Sequence, residues 1–376
     1  MTGPLNSKRN SWLFSRNLDL LVLFLPVWTV WMIFLSNSTY FENLSIPPWA
    51  WLIFILGIDV GHVWSSLFRT YLSKDEFNAH KKLLILTPII VFIVSLVLVN
   101  VSITWFWRIM AYLAVFHFIK QQYGFVALYN FKAKQKSSGW FSDKLIIYVA
   151  TLYPVIYWHF NSTSNFNWFV ENDFFPIHTF FGSSGELDTI FTLLNVAYWG
   201  IIAIWVINQF RKRAENTPIS TGKILWVLTT ALNWWFGIVY FNSDLIFSIS
   251  NVVAHGIPYI ALVYYYDVNK TALVSSIRPK TLYLVKRLFI ILGVILIAAI
   301  VEEYFWDMLV YRDHPMIFER IFPYRWDQLE QGWRIALVIA VLALPQQVHY
   351  IIDRFIWKMN AKNPHLKSIF TRNHES

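Results

Sequence analysis

Cysteine is absent from all 376 residues. That one absence removes disulfides, thiolate metal ligands, thiol nucleophiles and iron–sulfur clusters together, and it leaves the redox compartment undetermined. Charge is scarce as well. Asp, Glu, Lys and Arg make up 14% of the chain, against about 25% in soluble domains. The sequence contains no His-Glu-x-x-His, no P-loop, no Gly-x-Ser-x-Gly and no histidine-rich box series of the membrane desaturase kind, so none of those chemistries is signalled. Internal repeats, low-complexity tracts and long linkers are missing too, and residues 1–376 read as a single integral membrane domain.

Apolar and aromatic residues fill the space: 56% of the chain is hydrophobic, 19% is aromatic, and the mean hydropathy is +0.45. Water is not the main solvent of such a chain. In lipid a spanning backbone must satisfy its own hydrogen bonds, which runs of about 20 apolar residues do as helices. Ten such runs stand out, at 20–35, 48–68, 83–101, 106–129, 145–160, 190–210, 224–241, 245–266, 288–305 and 335–357. The expected fold class is therefore all-α, a polytopic transmembrane bundle of about ten helices. The first run follows Lys8, Arg9 and Arg16 but precedes no small-residue cleavage site, so it reads as an uncleaved helix rather than a secretory signal.

Lys and Arg set the expected orientation, because positive loops stay on the cytoplasmic side. Of the 31 basic residues, 25 fall in the N-terminal segment, in the four alternate loops and at the C-terminal end. Residues 36–47, 161–188 and 242–244 carry none. Both termini are thus expected in the cytoplasm, most simply of a bacterial inner (plasma) membrane. The formal charge of +9 needs no nucleic acid to explain it. Trp49, Trp105, Trp107, Trp158, Trp168, Trp306 and Trp357 lie near helix ends, as an interfacial aromatic belt requires. The long outer segments 161–188 and 306–334 are suited to capping the bundle or shaping an entrance. Asn37, Asn43 and Asn161 carry glycosylation sequons on outer loops, which matter only if the source glycosylates.

Four histidines fall inside predicted spans: His62, His117, His255 and His349. Their helices are all even-numbered, so they run in one direction and depth can be counted from the inner end. At 1.5 Å per residue the four share a slab roughly 10 to 20 Å from the cytoplasmic face. Each has polar company at helical spacing. Asp59, His62, Ser66 and Arg69 form a stripe, while Gly57 and Gly61 mark a second, close-packing face. Lys120, Gln121 and Gly124 follow His117; Ser248 and Asn251 precede His255, and Tyr259 follows it. Gln346, His349 and Asp353 align just after Pro345, which frees a carbonyl one turn earlier. Ionisable groups at mid-bilayer, such as Asp59 and Lys120, cost roughly 2.5 to 3.5 kcal/mol each on insertion scales and face a bundle interior or cavity. A metal ion explains the set: imidazole is a ligand for iron, zinc and copper, and a neighbouring carboxylate can orient the ring. The alternative for each histidine singly is a structural hydrogen bond to a neighbouring helix. His80, His159, His178, His314, His365 and His374 read as surface residues, and Glu302 and Glu303 as solvated at a helix end.

The order of Asp59-Val60-Gly61-His62, His117-Phe118, Ala254-His255-Gly256 and Val348-His349-Tyr350-Ile351-Ile352-Asp353 resembles the bacterial Brp/Blh family of membrane β-carotene dioxygenases. That resemblance implies histidines on transmembrane helices holding a non-haem iron. The chain differs in placing Asp59 before the first histidine and Lys120-Gln121 where the family has an acidic residue. It also looks like a group of bacterial membrane proteins of no assigned activity that share Asp-x-x-His and Arg69-Thr70-Tyr71.

The expected function is a metal-dependent, non-haem iron oxidoreductase acting on a lipophilic small molecule admitted from the lipid bilayer. His62, His117, His255 and His349 are the expected metal ligands, Asp59 and Asp353 orient them, and Gln121, Asn251 and Tyr259 are the expected catalytic residues that position substrate or oxygen. Haem or zinc in place of iron stays open. The alternatives are a proton-coupled transporter using the same histidines with Asp59, Lys120 and Asp353 as a relay, and a membrane acyltransferase using His255.

Overall fold

The computed structural model describes residues 12–37, 40–41, 46–135, 142–181, 185–214, 220–275, 280–324, 326–329 and 332–371. Lys8, Arg9, Asn43 and His374 lie outside them. The described residues form helices and no strand. The main helices are α1 (Arg16–Ser36), α2 (Pro48–Arg69), α3 (Lys81–Val101), α4 (Ile103–Lys132), α5 (Asp143–Phe160), α6 (Gly185–Ala214), α7 (Thr221–Trp234), α8 (Asp244–Ser275), α9 (Thr281–Tyr311), α10 (Trp333–Leu342) and α11 (Leu344–Ile356). Helix is found at each of the ten predicted places. By length and apolarity six of these helices can cross a membrane, or up to seven if α10 and α11, bent by 41°, make one span. The bend falls at Ala343, one turn into the reach of Pro345, which donates no amide proton and crowds the preceding turn.

Lipid-facing surface explains what water would not tolerate. Along α3, Ile89, Ile93 and Val97 are each more than half exposed at spacings of four, and Ile85, Leu86, Ile90 and Val94 widen the stripe. The opposite stripe of Leu84, Thr87, Val91, Ser95 and Val99 is buried. A bare aliphatic face of that length is costly in water and neutral in hydrocarbon.

The residues gather into two compact units, one of Met1–Leu44, Phe116–Phe166 and Phe175–His255, the other of Ser45–Val115, Asn167–Phe174 and Gly256–Ser376. Helices α4 and α8 contribute residues to both. The first unit is tied by indole and carboxylate hydrogen bonds. Trp31 Nε1 donates to Asn233 Oδ1 at 2.9 Å, Trp226 Nε1 to the Gln122 carbonyl at 3.1 Å, and Trp205 Nε1 to Asp143 Oδ1 at 3.0 Å. Lys223 Nζ reaches the same carboxylate at 3.0 Å, so the buried Asp143 is paired as well as hydrogen-bonded.

The second unit turns on Arg69 at the end of α2. Its side chain is fully buried and forms an ion pair with Glu76; it also donates to the Ile356 carbonyl at 2.7 Å and to Asn363 Oδ1 at 3.0 Å. The guanidinium lies 4.1 Å from the Tyr266 ring centroid, and Tyr266 donates its hydroxyl to Glu76. One cation therefore fastens the ends of α2 and α11 to α8 at Tyr266. Arg69 is thus not part of a stripe with His62, and Ser66 turns its hydroxyl back onto the Val63 carbonyl at 2.7 Å. The reason is local: α2 is π-helical over Trp51–Val60, α-helical over Gly61–Ser65 and 3₁₀ over Ser66–Arg69, so the 3.6-residue spacing that aligns the stripe fails at both ends.

Burial pushes the Glu76 carboxyl up, but Arg69, the Tyr266 hydroxyl and Lys270 outweigh it and hold the pKa below the ordinary 4.5. A depressed folded pKa contributes stability above the unfolded value and loses it as pH falls through the folded one. Thermal melts of the purified chain should accordingly show Glu76→Gln destabilised by about 3–5 kcal/mol near neutrality, with the gap to wild type closing as pH drops below 4.5. A gap independent of pH would mean that the pair contributes little.

Close helix packing is carried by Gly256, not by the Gly57 and Gly61 face. A Cβ at Gly61 would meet only ordinary contacts, whereas one at Gly256 would stand 2.6 Å from Ile58 Cγ2 and 3.1 Å from the Ile58 carbonyl oxygen. Gly256→Ala should therefore push α8 from α2 and cost about 1–3 kcal/mol in the same melts, while Gly61→Ala should cost less than half as much.

Candidate metal centre

Each unit brings together two of the four histidines. In the second unit His62 and His349 meet edge to face, ring centroids 5.0 Å apart at 79°. Tyr259 closes the triangle, 5.0 Å from His349 and 5.8 Å from His62. In the first unit His117 and His255 take nearly the same arrangement, 5.0 Å apart at 76°, with the Phe118 ring 4.5 Å from His255. All four imidazoles are buried, 2%, 4%, 0% and 0% exposed in chain order. Each unit thus holds one buried pair of nitrogen donors.

The flanking carboxylates sit where the helical spacing puts them. Asp59 Oδ1 is 3.6 Å from His62 Nδ1, and Asp353 Oδ1 is 3.7 Å from His349 Nδ1. Both distances exceed a hydrogen bond of about 2.7–3.2 Å. The carboxylates act on the rings as neighbouring charges, which favour a ligand cation. Asp353 is itself fixed: Tyr259 donates its hydroxyl to Asp353 Oδ1 at 2.5 Å, and Trp357 Nε1 reaches the Tyr259 oxygen at 3.4 Å. The Tyr259 hydroxyl is therefore engaged with a carboxylate.

Gln121 and Asn251 stand beside His255. Gln121 Nε2 donates to the His255 carbonyl at 2.8 Å, while its Oε1 is buried without a hydrogen-bond partner among the described residues. Asn251, one turn before His255, is 2% exposed and its Oδ1 is likewise without a partner. A buried acceptor left unpaired costs about 1–3 kcal/mol, and such a group marks a place for water or ligand.

Other expectations are corrected. Lys120 leaves the interior: it is exposed and donates to the Tyr148 hydroxyl at 2.7 Å, its stem lying along Phe116. The length and flexibility of the lysine stem permit this escape. Gln346 donates to the Tyr350 hydroxyl at 2.7 Å and Ser248 to Asp244 Oδ1 at 3.1 Å. His80 and His159 are buried rather than solvated, His80 Nε2 lying 2.9 Å from Asn363 Oδ1 and His159 Nδ1 2.7 Å from the Val155 carbonyl. Glu302 and Glu303 are half-buried, and Glu302 Oε2 accepts from Trp64 Nε1 at 2.6 Å. The sequence held a signal for that pair: two carboxylates in a 31-residue apolar helix are placed where hydration is expensive. No family model, no curated protein and no solved structure matches this chain.

Because Asn251 Oδ1 gains nothing from its burial, Asn251→Leu should leave the melting temperature unchanged or raise it, since replacing an unpaired polar group by an apolar one of similar shape removes a desolvation cost. A loss of several degrees would show instead that the amide holds the fold.

Proposed function

We propose that the protein is a membrane-embedded, metal-dependent oxidoreductase. Its non-haem iron is held by His62, His117, His255 and His349, and its substrate is a lipophilic molecule that enters from the bilayer. The observation that carries this proposal is the repetition of one motif: two enclosed imidazole pairs, each edge to face at 5.0 Å, on helices whose histidines share a depth in the sequence. Packing alone asks for neither the repetition nor the burial. Nitrogen donors without thiolate or a closed carboxylate cage suit iron, zinc or copper rather than calcium or magnesium. The resemblance of the motif order to that of the membrane β-carotene dioxygenases favours iron.

Bound iron would supply one-electron and oxygen chemistry at the imidazoles. The chain's own groups do the rest. Asp59 and Asp353 place negative charge 3.6 and 3.7 Å from ring nitrogens, which favours a cation and opposes its loss. Tyr259 holds Asp353 in place through its hydroxyl. Gln121 Oε1 and Asn251 Oδ1 are acceptors available to orient a substrate hydroxyl or a water. A proton relay through the same histidines would need Lys120, whose amine is committed to Tyr148.

We propose also that all ten helical segments span a bacterial inner membrane, both termini cytoplasmic, on the strength of the basic-loop count. A chain without cysteine makes this easy to examine: single cysteines at Lys134 and Ser162 should label from opposite sides.

Metal analysis with an absorption spectrum decides the main proposal. Protein purified anaerobically should carry close to one iron per chain with no Soret band. His117→Ala and His349→Ala should each lower metal affinity by at least about tenfold while keeping the wild-type elution profile. Metal-free wild-type protein that also fails to take up added ferrous ion would overturn it; a Soret band would replace iron by haem, and stoichiometric zinc would replace oxidation by Lewis-acid chemistry.

A further inference from the structure

The second unit contains a cavity of about 240 Å³ whose acidic and basic lining is one-sided. Asp59, Glu302, Glu303, Asp307 and Asp313 line it, and no Lys or Arg does. Among the described residues none of these carboxylates forms an ion pair with Lys or Arg. Asp59 faces His62, Glu302 accepts from Trp64, and Asp307 accepts from the His314 amide at 2.7 Å and from the Tyr324 hydroxyl. Glu302 and Glu303 belong to the most polar end of an otherwise apolar spanning helix, where uncompensated negative charge is costly.

The rest of the lining is aromatic, with Trp51, Trp107, Trp168 and Trp306 contributing indoles. These rings are organised. Trp107 stacks on Phe169 with centroids 5.4 Å apart at 20°, Trp306 stacks on Tyr311 at 5.5 Å and 24°, and Trp107 and Trp306 stand 5.7 Å apart. Trp51 lies against the His314 ring at 3.9 Å.

Three classes of occupant are then distinguishable by chemistry. A neutral lipid tail has no use for five carboxylates. A bare divalent ion needs a tight oxygen cage at about 2–2.6 Å, and among the described residues these carboxylates do not assemble into a metal-holding group. An organic ammonium ion uses both features: its charge answers the carboxylates, its methyl or methylene groups fill the volume, and indole faces attract it through the ring quadrupole.

We propose that this cavity binds an organic ammonium group, primary or quaternary, with Glu303 as counter-charge and the indoles of Trp107 and Trp306 as its walls. As the headgroup site of the substrate this rests on the oxidoreductase proposed above, since the cavity reaches Asp59, one turn from His62. The substrate class then narrows to a lipophilic amine or an ammonium-headed lipid.

Equilibrium dialysis of the purified full-length chain with choline and with its uncharged carbon isostere, 3,3-dimethylbutan-1-ol, tests the inference without needing the metal. Choline should bind saturably and the isostere at least about tenfold more weakly, which is about 1.4 kcal/mol. Glu303→Gln and Trp306→Leu should each weaken choline by a similar factor, and His349→Ala should leave it unchanged. Equal binding of the two probes, no saturable binding, or full affinity in Glu303→Gln would each overturn the inference. The wild-type probe comparison requires no variant to fold. Iron content measured on the same preparation separates the two proposals: iron without choline binding removes only the ammonium site, and choline binding without iron uptake removes only the metal centre.

Discussion

A single buried cation, Arg69, organises one half of this protein. It takes an acidic partner from the segment after α2, a carbonyl from the end of α11, an amide oxygen from Asn363 and an aromatic face from α8. A guanidinium has five donors in a rigid plane, so it can fasten several chain ends at fixed angles where a lysine could hold one. Burying it without Glu76 would leave an uncompensated charge, and with Glu76 the desolvation of both is offset further by the Ile356 carbonyl and Asn363 on the guanidinium and by Tyr266 and Lys270 on the carboxylate. The three helices it fastens are those that carry His62, Tyr259 and His349. Their imidazoles and phenol each lie seven residues before the anchoring position, Arg69, Tyr266 or Ile356, so a fixed anchor fixes their level.

Polar groups elsewhere solve the same problem by a different route. A chain with no thiol and few charges relies on tryptophan, whose indole N–H is a lone donor on a large apolar body. Trp31, Trp64, Trp205, Trp226 and Trp235 each spend that donor on an amide, carboxylate or carbonyl of another helix. The bond gives the helix pair a register, and the ring fills the volume around it. This accounts for the abundance of Trp in segments that an interfacial belt alone does not explain, since Trp31, Trp205 and Trp226 are buried inside the first unit.

Helix placement was legible because hydropathy reports the solvent directly. All ten apolar runs are helical, and the exposed aliphatic stripe of α3 is what lipid permits. The histidine pairs were legible in part: spacing of three or four residues on a helix predicts Asp59 beside His62 and Asp353 beside His349, and both are there. What failed depended on a uniform helix or on particular partners far away in sequence. The Asp59–Arg69 stripe assumed 3.6 residues per turn through a segment that passes from π to α to 3₁₀. Gly61 looked like a contact because glycines four apart often are, yet the close approach is made by Gly256 against Ile58. Lys120 looked costly because its level in the helix was read without the length of its side chain. His80 and His159 looked solvated because loop and helix-end positions usually are, whereas their partners, Asn363 and the Val155 carbonyl, are supplied by folding.

The positions of the carboxylates bear on how such a centre is tuned. A carboxylate hydrogen-bonded to a ligand imidazole raises the basicity of the ring and fixes its tautomer. At 3.6 and 3.7 Å, Asp59 and Asp353 exert mainly a field, which in a low-dielectric interior falls off slowly. The two are not equivalent. Asp353 spends one oxygen on the Tyr259 hydroxyl and is 12% exposed, whereas Asp59 is 25% exposed and opens onto the acidic cavity. Asp353 is therefore a fixed carboxyl group that belongs to the protein, and Asp59 is one that a ligand can reach. A cation in the cavity would draw on the charge of Asp59 and weaken its field at His62, leaving Asp353 and His349 unaffected. On the two proposals above, occupancy of the cavity and donor strength at His62 would be coupled through that one carboxylate.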